Sequence, residues 1–344
     1  MNISLKLVAK NKAKEDIDQL MLARNFRNVA VGSTWSGSIG RFFAKLLSVM
    51  ALPFRVHRGD VLLVQYPFKK YYPSLCRIMH WRGGHVVTLI HDLGCFRRKK
   101  LTVEQEVKKL SQTDVLIVHN ESMLQFLRDH DYQHPMLTLD IFDYLAPSHD
   151  EPLPVHEEGK PWDVVYAGGL AERKNRFLYA LDERLPQDCC WHLYIHGRGL
   201  DETKAAGWRH ITMRGFISSD DFVRHSVGHF GLVWDGSSVD ECAGAWGEYL
   251  KVNNPHKTSF YLRSGKPVII WRDAALAPFV EREGVGITVG SLAELHERLA
   301  GITTAEYEAM LRRVEVIRKR LAEGYYFDKA FNQALTLINK TDVL

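Results

Sequence analysis

Short apolar, β-branched runs alternate with amphipathic stretches along the whole chain of 344 residues. In the first half this pattern predicts strands near 3–8, 28–32, 60–65, 85–90, 114–119 and 136–139. The stretches between them predict helices over 13–24, 38–50, 74–82, 102–111 and 121–130. Such alternation is typical of parallel sheets with crossover helices, so the predicted fold class is α/β.

A polar segment over 146–162, APSHDEPLPVHEEGKPW, divides the alternation into two halves. Four prolines and four acidic residues without periodicity are typical of an interdomain linker. The alternation then resumes with DVVYAGG and continues to GITVG. We therefore expect two Rossmann-like domains facing a cleft, over 1–150 and 151–325, with ligands beyond the carboxyl ends of the strands.

The chain is predicted to end in two helices. Thr303 and Glu306 have the spacing of a capping box, and an apolar repeat follows until Gly324. A final helix over 326–344 follows, and it can pack back on the first domain.

Composition excludes several classes of protein. A net charge of +4 is too small for a dense nucleic-acid-binding face, so we expect no nucleic-acid partner. The charged first residues lack the apolar core of a signal peptide, and we expect a cytoplasmic protein. Five cysteines without CxxC spacing support neither a zinc site nor a disulfide framework.

Common catalytic motifs are missing from the sequence. No segment supplies GxxxxGK[ST], GxSxG or HExxH, and the glycines of GSTWSGSIG do not have GxGxxG spacing. Two nominal Asp-x-Asp matches, Asp16/Asp18 and Asp129/Asp131, are interpreted as surface acids. We therefore expect no metal and no cofactor.

The densest group of unusual residues lies over 234–271. Its centre is the polar loop NNPHKTS, which opens a short helix before the apolar strand PVIIW. A helix N-terminus with Lys257, Thr258, Asn253 and Asn254 offers cationic and neutral donors that suit a diphosphate and sugar hydroxyls. The alternative is a capped turn with a solvated lysine.

This segment resembles the β-1,6-galactofuranosyltransferases of bacterial O-antigen synthesis. More distantly, it is similar to the glucosyltransferases that extend O-GlcNAc on serine-rich streptococcal adhesins. LIHDLGCFR, DVLIVHNESML, IFDYL, VYAGGLAERK and GLVWDGSSVDECAGAWGEYLKVNNPHKTSFYL carry the resemblance through both halves of the chain. It implies a GT-B glycosyltransferase fold, with UDP-sugar bound by the second domain and acceptor by the first.

The resemblance also assigns roles to donor-side residues. Arg173 and Lys174 would reach the diphosphate, or else form a solvated basic pair. The loop RGFIS would pair with the uracil edge and place Phe216 near the base, with Ile217 beside it; packing of Phe216 in the core is the alternative. Tyr249 and Lys251 would line the same cleft.

On the acceptor side, His91 and Asp92 follow the apolar strand VVTLI at its carboxyl end. Either could take the proton of the acceptor hydroxyl, although a strand-end Asp often only caps a turn. Asp143 and Tyr144 are acceptor contacts or hinge packing. Arg97 begins a basic run, RRKK, that could meet the pyrophosphate of a lipid-linked acceptor or lie in solvent.

These inferences predict transfer of a hexosyl group, preferentially galactofuranose, from a UDP-sugar to a saccharide or lipid-linked saccharide acceptor in surface-glycan assembly. The resemblance implies inversion to a β-linkage. Alternatives are a UDP-glucose-dependent enzyme acting on GlcNAc-modified glycoprotein, a silent UDP-sugar-binding protein and a UDP-sugar epimerase. Peripheral association with the inner face of the cytoplasmic membrane and a homo-oligomer are further expectations.

Overall fold

A computed structural model describes residues 1–6, 11–32, 34–68, 71–96, 101–147, 155–225 and 227–341. The chain divides into two compact units. Unit 1 runs from Met1 to Asp143 and takes up the chain again from Gly324, and unit 2 is Tyr144–Glu323. The boundaries predicted from the sequence, after residues 150 and 325, lie seven and two residues later than these divisions after Asp143 and Glu323.

Unit 1 contains a parallel sheet of six described strands in the order β2-β1-β3-β4-β5-β6. These are β1 (Asn2–Ser4), β2 (Arg27–Asn28), β3 (Val61–Tyr66), β4 (His85–Ile90), β5 (Val115–Val118) and β6 (Met136–Thr138). The helices are α1 (Lys12–Ala23), α2 (Gly37–Arg55), α3 (Tyr72–Trp81), α4 (Val103–Leu110) and α5 (Glu121–Asp129). Strands β3, β4 and β5 are buried almost throughout, as expected where helices cover both faces of a sheet.

Unit 2 contains a second parallel sheet, again of six described strands, in the order β12-β11-β10-β7-β8-β9. These are β7 (Trp162–Gly169), β8 (Trp191–Arg198), β9 (Ile211–Met213), β10 (Phe230–Val233), β11 (Val268–Trp271) and β12 (Gly286–Val289). The direction of strand succession reverses between β7 and β10, where doubly wound sheets bind ligands at the carboxyl edge. The predicted α/β class is confirmed.

The helices of unit 2 connect these strands and end in a long helix. They are α6 (Glu172–Asn175), α7 (Phe177–Arg184), α8 (Ser219–His225), α9 (Gly244–Leu250), α10 (His256–Arg263), α11 (Ala277–Glu283), α12 (Glu294–Ala300) and α13 (Thr304–Glu323). The capping box predicted at Thr303 and Glu306 is present, with both reciprocal hydrogen bonds formed.

The last helix, α14 (Tyr325–Thr341), packs in unit 1 although it follows unit 2 in sequence. Gly324 joins it to α13 with a φ of +80°, and a Cβ there would lie 2.3 Å from Leu20 Cδ2. Glycine therefore meets both the backbone conformation and the close approach of α1. Arg24 reinforces the contact through two hydrogen bonds to the Asp328 carboxylate, at 3.0 and 2.6 Å.

Asp143 holds the beginning of α14. Its carboxylate is buried and accepts hydrogen bonds from the backbone N–H of Tyr326 at 3.2 Å and of Phe327 at 2.7 Å. It thus satisfies donors in the first turn of a helix that have no partner inside that helix. Of the two roles predicted for Asp143, acceptor contact or hinge packing, this geometry favours packing.

Asp143→Ala should lower the free energy of unfolding by about 1–2 kcal/mol, because two buried helix-start donors lose their acceptor. The matched control is Asp129→Ala, which removes an exposed acid at the end of α5 and should cost less than about 0.5 kcal/mol. Urea titration followed by circular dichroism measures both variants. Equal stability of the two variants would contradict this role of Asp143.

Candidate functional site

Three side chains from different elements of unit 2 meet at the carboxyl ends of β7 and β10. Lys257, on α10, donates from Nζ to Tyr166 OH at 2.6 Å and to Asp235 Oδ1 at 2.9 Å. Its ammonium also lies 3.9 Å from the centre of the Tyr166 ring. The side chains of Lys257 and Asp235 are 15% and 13% exposed, so the ion pair is mostly withdrawn from water.

A second lysine completes this group, which we call the Lys257 cluster: Tyr166, Lys174, Asn175, Asp235 and Lys257. Lys174 Nζ lies 3.4 Å from Asp235 Oδ1 and 5.2 Å from the centre of the Trp246 ring. Tyr166 OH donates to Asn175 Oδ1 at 2.6 Å, and Asn175 Nδ2 donates to the carbonyl oxygen of Gly169. One carboxylate therefore faces two ammonium groups, and the cluster carries a net positive charge.

Burial and charge act in opposite directions on the ionisable groups of the cluster. Burial alone would raise the pKa of Asp235, but Lys257 and then Lys174 outweigh it and hold that pKa below its ordinary value. Burial lowers the pKa of Lys257 to about 8, against the opposing effect of Asp235. Lys257 is therefore mainly charged at neutral pH, and it loses its proton as the pH rises above about 8.

Glycines keep the backbone open beside the cluster. Gly168 has a φ of +150°, and a Cβ there would lie 3.4 Å from Lys257 Cε. At Gly197, which pairs with Gly168 across β7 and β8, a Cβ would lie 1.8 Å from the Gly168 carbonyl oxygen. The two strand ends can approach this closely only without side chains, which leaves room for a ligand at the edge of the sheet.

An exposed aromatic lies on the same unit, after β9. Phe216 is 60% exposed, and the Arg198 guanidinium lies 4.1 Å from the centre of its ring. The core-packing alternative for Phe216 is therefore wrong, because its ring faces solvent. Ile217, next to it, is half-buried.

The remaining predicted donor residues fall into two groups. Tyr249, Asn254 and Thr258 are buried, at 3%, 4% and 0% exposure, and Asn253 is half-buried. Arg173 and Lys251 are exposed, and Lys251 pairs with Glu248 at 3.1 Å and lies over the Trp271 ring. Of the three predicted lysines, Lys174 and Lys257 therefore belong to the Lys257 cluster. Lys251 contacts Glu248 and Trp271 instead.

Sequence reasoning did not single out Tyr166, Asn175, Asp235 or Arg198. The signal for Asp235 was available, because it directly follows the apolar run FGLVW at a strand end. Tyr166 lies inside an apolar strand pattern, where an aromatic normally indicates core packing. Its hydroxyl gains a role from side chains of other elements, Asn175, Asp235 and Lys257.

In unit 1, His91 and Asp92 lie at the carboxyl end of β4 and are half-buried. The His91 ring stacks on Phe142 with centroids 5.2 Å apart, and its backbone N–H donates to the Tyr66 carbonyl at 2.9 Å. Glu106 holds the loop that follows by accepting from Gly94 N at 2.9 Å. The pair is therefore positioned by fixed neighbours, and its role as the base stays a prediction.

Unit 1 also has a reversal of strand succession, between β1 and β3, and a cavity of about 90 Å³ lies there. Lys14, Asp18, Lys45, Gln65 and Phe68 are among its lining residues. Gln65 Nε2 donates to Asp18 Oδ1 at 2.7 Å, and Lys14 Nζ donates to the Gln65 carbonyl at 3.0 Å. Burial raises the pKa of Asp18 to about 6 and lowers that of Lys14 to about 8.

This cavity corrects the interpretation of one Asp-x-Asp match. Asp18 is 7% exposed, and Asp16 is fully buried with Lys12 Nζ 2.6 Å away, so neither is a surface acid. Their helix packs against the sheet with both carboxylates compensated by neighbours. Asp129 and Asp131 are exposed, as expected.

The other acceptor-side predictions have different outcomes. Tyr144 is 2% exposed and packs in unit 2 against His256 and Phe260, with ring centroids 4.9 and 5.6 Å apart. Arg97 lies outside the described residues. Within the described ranges, no three His, Cys, Asp or Glu side chains converge as metal ligands would.

Comparison with known proteins assigns the family. Residues 5–141 match the N-terminal domain and residues 164–334 the C-terminal domain described as glucosyltransferase 3-like. The chain belongs to the glucosyltransferase 3-like family. It is 30% identical over 323 residues to β-1,6-galactofuranosyltransferase WbbI of Escherichia coli K12, covering 92% of each chain.

A second family relative is glucosyltransferase 3 of Streptococcus gordonii, 25% identical over 338 residues and covering 94% of this chain and 93% of the relative. Among solved structures, the lipopolysaccharide outer core galactosyltransferase WaaB in its apo form matches with a TM-score of 0.63 and 13% identity. That match covers 98% of this chain and 99% of WaaB, and it shows the fold, GT-B.

The resemblance inferred from the sequence motifs is therefore confirmed, as are the GT-B fold and glycosyl transfer as the class of reaction. The family domains cover the sequence on both sides of the linker, and both relatives are matched over nearly their whole lengths. This chain is a glycosyltransferase.

Proposed function

We propose that this glycosyltransferase transfers galactofuranose from UDP-galactofuranose to a saccharide or lipid-linked saccharide acceptor in surface-glycan assembly, with inversion to a β-linkage. The observation that carries the donor class is the Lys257 cluster, with its net positive charge at the carboxyl edge of the unit 2 sheet. The 30% identity to a galactofuranosyltransferase supports this sugar. We further propose a cytoplasmic homo-oligomer that needs neither metal nor cofactor.

The cluster suits a diphosphate for electrostatic reasons. Asp235 neutralises only one of the two ammonium groups of Lys174 and Lys257, and it fixes both in place. A diphosphate arriving beside them would find preorganised positive charge that has already lost most of its hydration. Gly168 and Gly197 leave the strand ends free of side chains, so that a ligand can approach the backbone.

Phe216 and Arg198 suit the nucleobase. A ring that is 60% exposed and covered on one face by a guanidinium 4.1 Å away forms a flat platform. Uracil can stack on such a platform, and an aromatic–base contact of this kind contributes about 1–3 kcal/mol. This explains why a large apolar side chain remains in solvent at this position.

In the proposed reaction the acceptor oxygen attacks the anomeric carbon of the donor, and the bond from that carbon to the diphosphate oxygen breaks. Lys257 and Lys174 stabilise the negative charge that develops on the departing UDP. Asp92 or His91 takes the proton of the acceptor hydroxyl. The polar cavity of unit 1, with Asp18, Gln65 and Lys14, supplies acceptors and donors of the kind that sugar hydroxyls require.

A second candidate donor is UDP-glucose, with GlcNAc-modified glycoprotein as the acceptor. It is supported by the 25% identity to glucosyltransferase 3 over 94% of this chain. The two donors share the UDP moiety, so the cluster serves both equally. They differ only in the contacts of the sugar ring.

UDP should stabilise the wild-type protein, by about 2.7 kcal/mol at a hundredfold excess over its dissociation constant. Lys257→Met should abolish most of this effect, because it removes a cation while keeping most of the length of the side chain. Lys251→Met is the matched control and should respond to UDP as the wild type does, since Lys251 is exposed and paired elsewhere. Thermal unfolding with and without UDP measures all three, and identical responses would reject the cluster as the donor site.

Affinity for UDP should fall as the pH rises above about 8, because Lys257 loses its proton there and the neutral amine no longer attracts phosphate. The slope should approach about tenfold per pH unit if one proton is required. Lys257→Arg should remove this decline, because a guanidinium stays charged. Isothermal titration from pH 6 to about 9.5 makes the measurement, and a flat wild-type profile would contradict the assignment.

The reaction is tested by offering UDP-galactofuranose and UDP-glucose with a panel of GlcNAc- and galactose-terminated acceptors. We expect acceptor-dependent release of UDP with UDP-galactofuranose and a product heavier by one hexose, whose β-linkage nuclear magnetic resonance identifies. Turnover with UDP-glucose alone would favour the second candidate. UDP binding without any product would indicate a silent binding protein, and release of an altered sugar without acceptor would indicate an epimerase.

A further inference from the structure

Helix α2 exposes an apolar surface on the side that faces away from the core of unit 1. Phe54 is 89% exposed, Ile39 75% and Met50 62%, and Phe42 and Phe43 are each nearly half exposed. At 100° per residue these five side chains lie on one side of the helix. A surface helix in water normally exposes polar residues to solvent. An exposed apolar surface such as this one indicates an interaction site.

The opposite side of α2 is built into unit 1. Leu52 and Ala44 are buried in the core, and the buried hydroxyl of Ser48 accepts from Val31 N at 2.9 Å. By length and composition α2 is the one helix in the described ranges that could cross a membrane, but these contacts keep one side of it on the sheet. The geometry is that of a helix lying along a surface.

An exposed tryptophan and exposed basic side chains lie near the C-terminal end of α2. Trp81, at the end of α3, is 73% exposed, and Arg82 beside it donates to the carbonyl of Val56, immediately after α2. Arg55 and Arg58 are exposed at the same end. Tryptophan and arginine are the residues that favour the boundary between lipid headgroups and acyl chains.

The charge of the surrounding sequence is strongly one-sided. Residues 19–91 contain ten Lys and Arg and one acidic residue, Asp60, which is buried and paired with Arg27 at 2.9 Å. This segment therefore carries a net charge of +9, whereas the remainder of the chain sums to −5. A segment of net positive charge that carries an apolar surface is complementary to an anionic lipid surface.

We propose that α2 is a membrane-docking surface, with Ile39, Phe42, Phe43, Met50 and Phe54 inserted at the headgroup boundary of an anionic bilayer and the surrounding arginines on its phosphates. A second copy of this chain fits less well, because a two-fold contact through α2 would bring two segments of +9 together. Membrane docking does not depend on the donor site, so either proposal can fail alone.

Vesicle flotation at an ionic strength of about 0.1 M tests the proposal with the full chain. The wild type should float with vesicles of phosphatidylcholine and phosphatidylglycerol, and binding should fall at about 0.5 M salt or without the anionic lipid. Phe54→Ser should weaken binding about tenfold, because one large apolar side chain no longer inserts. Ile39→Ser combined with Phe54→Ser should weaken it further.

The matched control is Val316→Ser, which removes an apolar side chain that is 50% exposed on α13 of unit 2, and it should bind vesicles as the wild type does. Unchanged thermal unfolding of Phe54→Ser shows that the loss does not come from misfolding. No flotation of the wild type, or equal flotation of Phe54→Ser, would overturn the proposal. So would a change from dimer to monomer in Phe54→Ser without vesicle binding, which would indicate that a second copy covers α2.

Discussion

The arrangement of unit 2 around its candidate site depends on one ion pair that is largely withdrawn from water. Lys257 and Asp235 keep their charges because each compensates the other, and because Tyr166 and Lys174 complete their contacts. A charge moved out of water without such partners would cost several kcal/mol or lose its ionisation. The pair therefore requires β7, β10 and α10 to meet at one point, which is where the strand order of the sheet reverses.

Unit 1 is assembled from two parts of the chain that are distant in sequence. The final helix returns to it and is held by Asp143 at its first turn and by Arg24 at Asp328. Gly324 permits the close approach to Leu20 that this return demands. Helix α14 thus belongs to unit 1 although it follows unit 2 in the sequence. The fold of unit 1 therefore depends on residues from both sides of unit 2.

The two units differ in how their charge is distributed, and the net charge of the whole chain does not show this difference. A net charge of +4 conceals a segment, residues 19–91, that contains α2 and carries a net charge of +9. In unit 2, by contrast, the important cations are few and are fixed by a buried carboxylate. Diffuse positive charge around apolar side chains suits a lipid surface, and two fixed ammonium groups suit one diphosphate.

The sequence by itself determined the α/β class, the division of the strands into two sets, the capping box at Thr303 and Glu306 and the family, because periodicity, turn residues and long motifs are local properties of the chain. It also identified Lys257 and Lys174. Only the tertiary structure joined them to Tyr166, Asn175 and Asp235, since those contacts link residues as far as 91 positions apart. It likewise decided that Asp18 is buried and that Phe216 is exposed, because burial depends on what packs against a residue and not on its own type.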